Sequence, residues 1–304
     1  MYRYKRLLVG VSLNRQDGAS IRYASMISRL AESEDIVFFH VAADQDVDED
    51  ICTIYPELQT SCDGSTTQEI ESLVKKYYDG HPGTKLHCEA VTGSPLIEIL
   101  RRVKQEDIDL VVMRKKVGDK TSGNLSTKLA RKSPCSVLFV PEGAKSWYSN
   151  ILVPIDFSEN SRDAVEVAVA FALANKIKEI HCLHIYHVPN GYYKTGKSYE
   201  QFAEIMKGHA EKEYREFMGN IDLKGIKAIP RFRLAGKEYR GIWEILLEEE
   251  EVQLLIMGAR GRKAGAGVLL GSVTEHLIKT TTVPLLAVKK KGTGMSLLDA
   301  LLEL

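Results

Sequence analysis

The chain repeats itself at a constant interval, and this repetition limits the folds that it can adopt. Matching residues in three separated apolar segments indicate an internal duplication rather than chance periodicity. The 304 residues are therefore expected to form two copies of one domain, which agrees with the usual size of domains. The following pairs are each separated by 144 positions: Val9 and Val153, His40 and His184, Met113 and Met257.

Each copy alternates short apolar runs with segments of helical periodicity. Continuous apolar runs of this length are typical of parallel strands that are covered on both faces. Residues 44–67 are polar and acidic, which predicts a long loop, and the last helix of the first copy is expected from about Asn124. Strands that alternate with helices predict a parallel sheet with helices on both faces. The predicted strands of the first copy are residues 6–12, 36–42, 86–91, 110–113 and 136–140.

In the second copy, residues 254–276 have the features of an anion site. A buried strand is predicted over residues 254–257, and a glycine-rich segment follows it. Ser272 and Glu275 then fit the capping box that opens a helix, and an anion is stabilised at such a helix start. One alternative is that the glycines form only a flexible surface turn. Two features favour a phosphate site instead. The segment lies between a strand end and a helix start, and it carries three basic residues, Arg260, Arg262 and Lys263.

The spacing of these glycines resembles the nucleotide loop of ATP-binding universal stress proteins. Two residues separate Gly258 from Gly261, and nine separate Gly261 from Gly271 and Ser272. The resemblance implies two flavodoxin-like (adenine nucleotide alpha hydrolase-like) domains, each a five-stranded parallel sheet with helices on both faces. We expect one domain over residues 1–143, a second over 148–291, and a C-terminal amphipathic tail over 292–304.

The resemblance also implies a nucleotide site in the second domain. Asp156, in the run Asp156-Phe157-Ser158, would contact the nucleotide, although an aspartate here is also a common turn or helix-cap residue. The implied cofactor is ATP, and the sequence leaves open whether Mg²⁺ accompanies it. The implied cofactor-binding residues are Pro154, Ile155, Asp156, Ile185, Met257, Gly258, Ala259, Arg260, Gly261, Gly271, Ser272, Val273 and Thr274.

The first copy has lost most of the residues that carry this resemblance and keeps only Gly123-Asn124, at the position of Gly271-Ser272. Its loop is also shorter, with five residues instead of nine before Gly123. These losses predict a degenerate loop in the first domain and one ATP per chain. Basic residues, among them Lys115, remain there and are interpreted as a solvated loop. Arg114, Val117 and Ser12 stand where the second copy has Gly258, Gly261 and Asp156.

No pattern in the chain identifies a catalytic residue. The sequence contains no nucleophile–base pair, H-E-x-x-H motif or carboxylate dyad at a recognisable spacing, so slow ATP hydrolysis is the most that we expect of it. His181, His184 and His187 follow each other at every third position. On a strand His184 would point away from the other two, which argues against a metal triad. His40 and His184 are expected at strand ends, bonded to the backbone.

Composition excludes several classes of partner. The 41 basic side chains balance 41 acidic ones, so bulk electrostatic binding to nucleic acid is not expected. The five cysteines are odd in number and form no C-x-x-C, which favours a reducing cytoplasm. No stretch reaches the about 18 apolar residues that a membrane-spanning helix needs. We therefore expect a cytoplasmic protein without a membrane partner.

The C-terminal tail places four leucines on one face of a short predicted helix. The tail either packs on its own protein or forms a hook for an unknown protein partner or a second copy of the chain. The sequence thus predicts an ATP-binding regulatory protein of the stress response, and it leaves open whether two copies of the chain form a homodimer. The alternative is an interaction module that binds no nucleotide and acts through dimer pairing and the tail. The four leucines are Leu297, Leu298, Leu301 and Leu302.

Overall fold

The chain forms two compact units. The computed structural model describes residues 3–14, 16–42, 64–115, 122–145, 147–248, 252–262 and 269–293, together with residue 302. One unit comprises Met1–Ser146 and Lys291–Leu304, and the other comprises Trp147–Lys290. Each unit contains a five-stranded sheet whose neighbouring strands are parallel. The predicted α/β fold is confirmed.

The first unit alternates strands and helices through its described residues. The strand order is β3-β2-β1-β4-β5, with all five predicted strands present. Most of the predicted loop over residues 44–67 lies outside the described residues, and its last four residues are helical instead. The elements are β1 (Arg6–Gly10), α1 (Asp17–Ala31), β2 (Asp35–Ala42), α2 (Gly64–Tyr77), β3 (Lys85–Thr92), α3 (Pro95–Gln105), β4 (Leu110–Lys115), α4 (Ser122–Lys132) and β5 (Ser136–Pro141).

The second unit repeats this arrangement in the order β10-β9-β6-β7-β8. A short 3₁₀ turn, Tyr192–Thr195, lies in the connection that follows its second strand. The elements are β6 (Ile151–Pro154), α5 (Glu159–Ala174), β7 (Glu179–Tyr186), α6 (Tyr199–Met218), β8 (Lys227–Leu234), α7 (Glu238–Glu248), β9 (Leu254–Gly258), α8 (Ser272–Thr280) and β10 (Leu285–Val288).

The strand order creates an opening at one edge of the second sheet. From β6 the chain moves outward to β7 and β8, and it then crosses back to β9 and β10 on the other side. Crossovers between parallel strands are right-handed, so the helices of the outward path and the helices of the return path lie on opposite faces of the sheet. Helices α7 and α8, both on the return path, accordingly pack on each other. A crevice therefore opens at the carboxyl ends of β6 and β9, where open α/β sheets bind their ligands.

The start of the C-terminal segment is tied to the first unit. Lys291 Nζ lies 2.7 Å from a carboxylate oxygen of both Asp107 and Asp109. The predicted leucine face of the tail lies outside the described residues, except for Leu302. Within the described part of the chain, no helix combines the length and apolarity needed to cross a bilayer.

Candidate functional site

A cavity of about 890 Å³ opens where β6, β7 and β9 end in the second unit. Twelve of the thirteen residues predicted to bind a cofactor line it, and only Ala259 does not. Ala259 is buried behind the wall, where its N–H donates to Val288 O at 2.9 Å and its carbonyl accepts from Gly271 N at 2.8 Å. The lining residues from the prediction are Pro154, Ile155, Asp156, Ile185, Met257, Gly258, Arg260, Gly261, Gly271, Ser272, Val273 and Thr274.

Asp156 joins the turn after β6 to the glycine loop, a name that we use for residues 258–262 and 269–271. Its Oδ1 accepts hydrogen bonds from Ser158 Oγ at 2.6 Å and from Ser161 Oγ at 2.7 Å. Its Oδ2 accepts the backbone N–H of Arg262. The cap of α5 is Ser158, whose Oγ accepts from Ser161 N at 3.2 Å. Asp156 therefore supports the helix start without capping it, and it holds the glycine loop against β6.

The Asp156 carboxyl is ionised at neutral pH. Burial raises its pKa, but the hydrogen bonds from Ser158, Ser161 and the Arg262 N–H together outweigh that effect. The pKa of Asp156 consequently lies below its ordinary value of 3.8. A carboxylate that lines a cavity attracts hydrogen-bond donors, such as hydroxyl and amino groups, rather than anions.

The glycines of the loop allow close packing rather than unusual backbone angles. A Cβ on Gly258 would lie 2.8 Å from the carbonyl oxygen of Asn160, at the start of α5. A Cβ on Gly261 would lie 2.7 Å from Asp156 Oδ2. The sequence suggests that Gly261 adopts a positive φ, which a branched side chain would resist; this expectation is wrong, because neither glycine has a positive φ. Each glycine leaves space for a neighbouring group.

Helix α8 begins beside the cavity without a side-chain cap in the described part of the chain. Gly271 is the N-cap and Ser272 is already the first helical residue, so the predicted capping box is wrong. Glu275 pairs instead with Lys279 at 2.9 Å. Thr274 Oγ1 donates to Gly258 O at 3.0 Å and holds the helix start against the end of β9. Helix N–H groups without a cap, at the positive end of the helix dipole, favour an anion.

The strand-end histidines bond to the backbone as predicted. His184 Nδ1 lies 3.0 Å from Ile155 O, and His40 Nδ1 lies 2.9 Å from Val11 O. Burial lowers the pKa of His184, although its hydrogen bond to Ile155 opposes the shift. The described residues contain no group of three or more His, Cys, Asp or Glu side chains arranged to hold a metal ion.

Sequence reasoning missed one wall of the cavity, which helix α6 provides. Met206, His209, Ala210 and Glu213 of this helix line the cavity. Glu213 Oε1 lies 3.3 Å from Arg262 Nη1, so the wall contacts the glycine loop directly. No motif marks these positions, because only the fold brings α6 over the ends of β6 and β7. Arg262, named from the sequence as one of the basic residues of a phosphate site, also lines the cavity. The other lining residues missed are Ser161, Leu183, His184, Tyr186, His187, Glu238, Ile242, Leu270 and Glu275.

In the first unit an arginine with its own partners stands at the position of Gly258. Arg114 Nη1 lies 2.7 Å from Glu142 Oε1 and 2.5 Å from Gln16 Oε1, and its side chain is only 10% exposed. The neighbouring Lys115 is 4% exposed at the end of β4, and burial lowers its pKa to about 8. The interpretation of Lys115 as part of a solvated loop is therefore wrong, because the strand continues through it. Residues 116–121, including Val117, lie outside the described residues.

Comparison with known proteins agrees with the duplicated architecture. The universal stress protein MJ0577 of Methanocaldococcus jannaschii is 32% identical over 161 residues, which is 48% of this chain and 98% of that protein. The universal stress protein MJ0531 of the same organism is 28% identical over 144 residues, which is 47% of this chain and 83% of that protein.

One solved structure extends the likeness over both units. A universal stress protein from Archaeoglobus fulgidus has a TM-score of 0.60 at 18% identity, covering 94% of this chain and 98% of its own, and this likeness concerns the fold alone. The model of the universal stress protein family matches residues 3–141 and again residues 148–289. Since these two matches account for nearly the whole chain, the protein belongs to the universal stress protein family and is a tandem member of it.

Proposed function

We propose that the second domain binds one ATP molecule in the 890 Å³ cavity and that the protein acts as an ATP-binding regulator in the stress response. One observation carries this proposal. The cavity has on one side a helix start that no described side chain caps, and on the other an apolar wall with an ionised carboxylate. Its volume falls within the range of about 300–1,000 Å³ that is usual for small-molecule sites.

The phosphate end of the proposed site is the start of α8 together with the glycine loop. Backbone N–H groups of Ser272, Val273 and Thr274 belong to the first turn of the helix, where the dipole favours negative charge. Arg260 and Arg262 line the same part of the cavity and add positive charge. These groups match a polyphosphate chain.

The adenosine end lies along the carboxyl ends of the strands. Pro154, Ile155, Ile185 and Met257 supply apolar lining, and an aromatic base gains by burying its surface against such side chains. Asp156 Oδ2 accepts one backbone N–H from the described residues, and a carboxylate oxygen has capacity for a second donor such as a ribose hydroxyl.

The first domain is proposed to bind no nucleotide. Arg114, at the position of Gly258, is paired with Glu142 and bonded to Gln16. The strand-end carboxylate is missing as well, because Ser12 stands where the second domain has Asp156; the nearby carboxylate belongs to Asp17 of α1, whose Oδ2 accepts the Ser12 N–H at 3.1 Å. The first domain would then act as a fixed partner for the second domain.

Calorimetric titration of the full chain with ATP tests the proposal, and mass spectrometry of the purified, denatured protein detects any ATP that it retains. We expect a stoichiometry near one. Two reciprocal variants separate the domains: Asp156→Ser should weaken binding, whereas Ser12→Asp should leave the stoichiometry at one. A stoichiometry near two would contradict the assignment. The absence of both binding heat and retained ATP would favour an interaction module that binds no nucleotide.

A further inference from the structure

Arg262 of the glycine loop is held from two directions. Its backbone N–H donates to Asp156 Oδ2, and its guanidinium Nη1 lies 3.3 Å from Glu213 Oε1. Glu213 lies on α6, and both residues of this ion pair line the cavity. The side chains are 62% and 30% exposed for Arg262 and Glu213 respectively, so the pair sits at the mouth of the cavity rather than in its interior.

The carboxylate of Glu213 conflicts with a polyphosphate in the same cavity. Its second oxygen, Oε2, lies 3.7 Å from His209 Nδ1 on the same helix. A negative group that lines the wall repels an anion placed beside the glycine loop. Arg262 cannot direct its charge fully to the phosphates while Glu213 holds it, because an ion pair restrains the geometry of both side chains.

We propose that Glu213 is an internal competitor for Arg262. The Glu213–Arg262 pair, here called the latch, fastens the glycine loop to α6 when no polyphosphate is bound. A polyphosphate releases the latch by taking over Arg262. The latch therefore lowers affinity most for the ligand with the most negative charge, because such a ligand must take Arg262 from Glu213, and it leaves the affinity for an uncharged nucleoside unchanged. This inference rests on the proposed ATP site and adds to it a residue that sets its response to phosphate.

The exposure of the pair determines the size of the effect. Exposed ion pairs are weak and are screened by salt. Removing the latch is therefore expected to tighten ATP binding by only about 1.5-fold to fivefold at low ionic strength. A weak latch suits this role, since a strong one would exclude the ligand altogether.

The test replaces Glu213 by its uncharged analogue and titrates the full chain with adenosine, AMP and ATP. In Glu213→Gln the dissociation constant for ATP should fall about 1.5-fold to fivefold, the constant for AMP should fall less, and the constant for adenosine should not change. The matched control is Glu216→Gln, on the same helix. Glu216 is 68% exposed, pairs with Lys212 at 3.9 Å and does not line the cavity, so no constant should change.

A double variant separates the latch from simple repulsion by the Glu213 carboxylate. In an Arg262→Gln background the gain from Glu213→Gln should shrink, because the competitor has lost its partner. A full gain in that background would overturn the proposal, and so would equal ATP affinities of Glu213→Gln and Glu216→Gln.

A second measurement needs no nucleotide. Amide hydrogen exchange over residues 258–262 should be faster in Glu213→Gln than in Glu216→Gln, because the glycine loop has lost its tie to α6. Equal exchange would overturn the latch even if ATP binds. Failure of the wild-type chain to bind ATP would instead overturn the proposed function and the competition with it, so the two failures are distinguishable.

Discussion

Replacing Gly261 by valine is expected to abolish nucleotide binding with little loss of fold. A Cβ at this position would lie 2.7 Å from Asp156 Oδ2, which is closer than carbon and oxygen atoms tolerate, so the carboxylate must move. Moving it breaks the charge-assisted hydrogen bond to the Arg262 N–H, and such bonds contribute about 1.5–3 kcal/mol. Because the glycine loop must return to this arrangement to bind ATP, the same free energy is lost from binding, which corresponds to a roughly 10- to 150-fold weaker affinity. The two methyl groups of valine add further bulk beside the cavity.

Alanine at position 261 separates the displacement of the Asp156 carboxylate from the added bulk of valine. Gly261→Ala moves the carboxylate but adds little bulk. We therefore expect its ATP affinity to fall roughly 10- to 150-fold, which corresponds to a loss of about 1.5–3 kcal/mol. The fold should persist in both variants, because Gly261 lies in a partly exposed loop and not in a strand. Calorimetric ATP titration measures the affinity, and thermal unfolding without ligand measures the stability.

The control for this series is Gly236→Ala in the same domain. An added Cβ on Gly236 meets no atom within 4 Å, and Gly236 does not line the cavity, so affinity should not change. Adding Asp156→Ser to Gly261→Val should relieve the clash without recovering affinity. Wild-type affinity in Gly261→Val would refute the reasoning, as would an equal loss in Gly236→Ala.

Three further predictions follow from the same geometry. Asp156→Ala should weaken ATP binding by about 1–3 kcal/mol in calorimetry, and an unchanged dissociation constant would limit Asp156 to supporting the start of α5. Gly258→Ala should lower the free energy of unfolding by about 1–3 kcal/mol, because its Cβ meets the Asn160 backbone at 2.8 Å. Denaturant titration without ligand measures this loss, and an unchanged midpoint would contradict the prediction. Burial lowers the pKa of His184 below its ordinary value of 6.5, so its stabilising contribution is present above that value and is lost as pH falls through the folded pKa. Thermal stability should therefore decline in acid less steeply in His184→Asn than in the wild-type chain, and identical pH profiles would exclude this contribution.

The sequence by itself determined the fold and the location of the candidate site. The constant offset of 144 positions established two copies of one domain, and the apolar runs placed the strands correctly. The glycine spacing selected the end of β9 and the start of α8, which the structure shows at the edge of one cavity. These features are local, because a strand, a tight loop or a helix start depends mainly on residues that are close together in the chain.

The tertiary structure alone decided which groups face each other across the site. In the second domain Asp156 at the strand end accepts from Ser161 Oγ on α5. In the first domain the carboxylate is instead on the helix, where Asp17 accepts the Ser12 N–H at 3.1 Å. Arg262 meets Glu213 at 3.3 Å, although 49 positions separate them. Such contacts depend on how helices pack over strand ends, and the periodicity of a single segment carries no information about that packing.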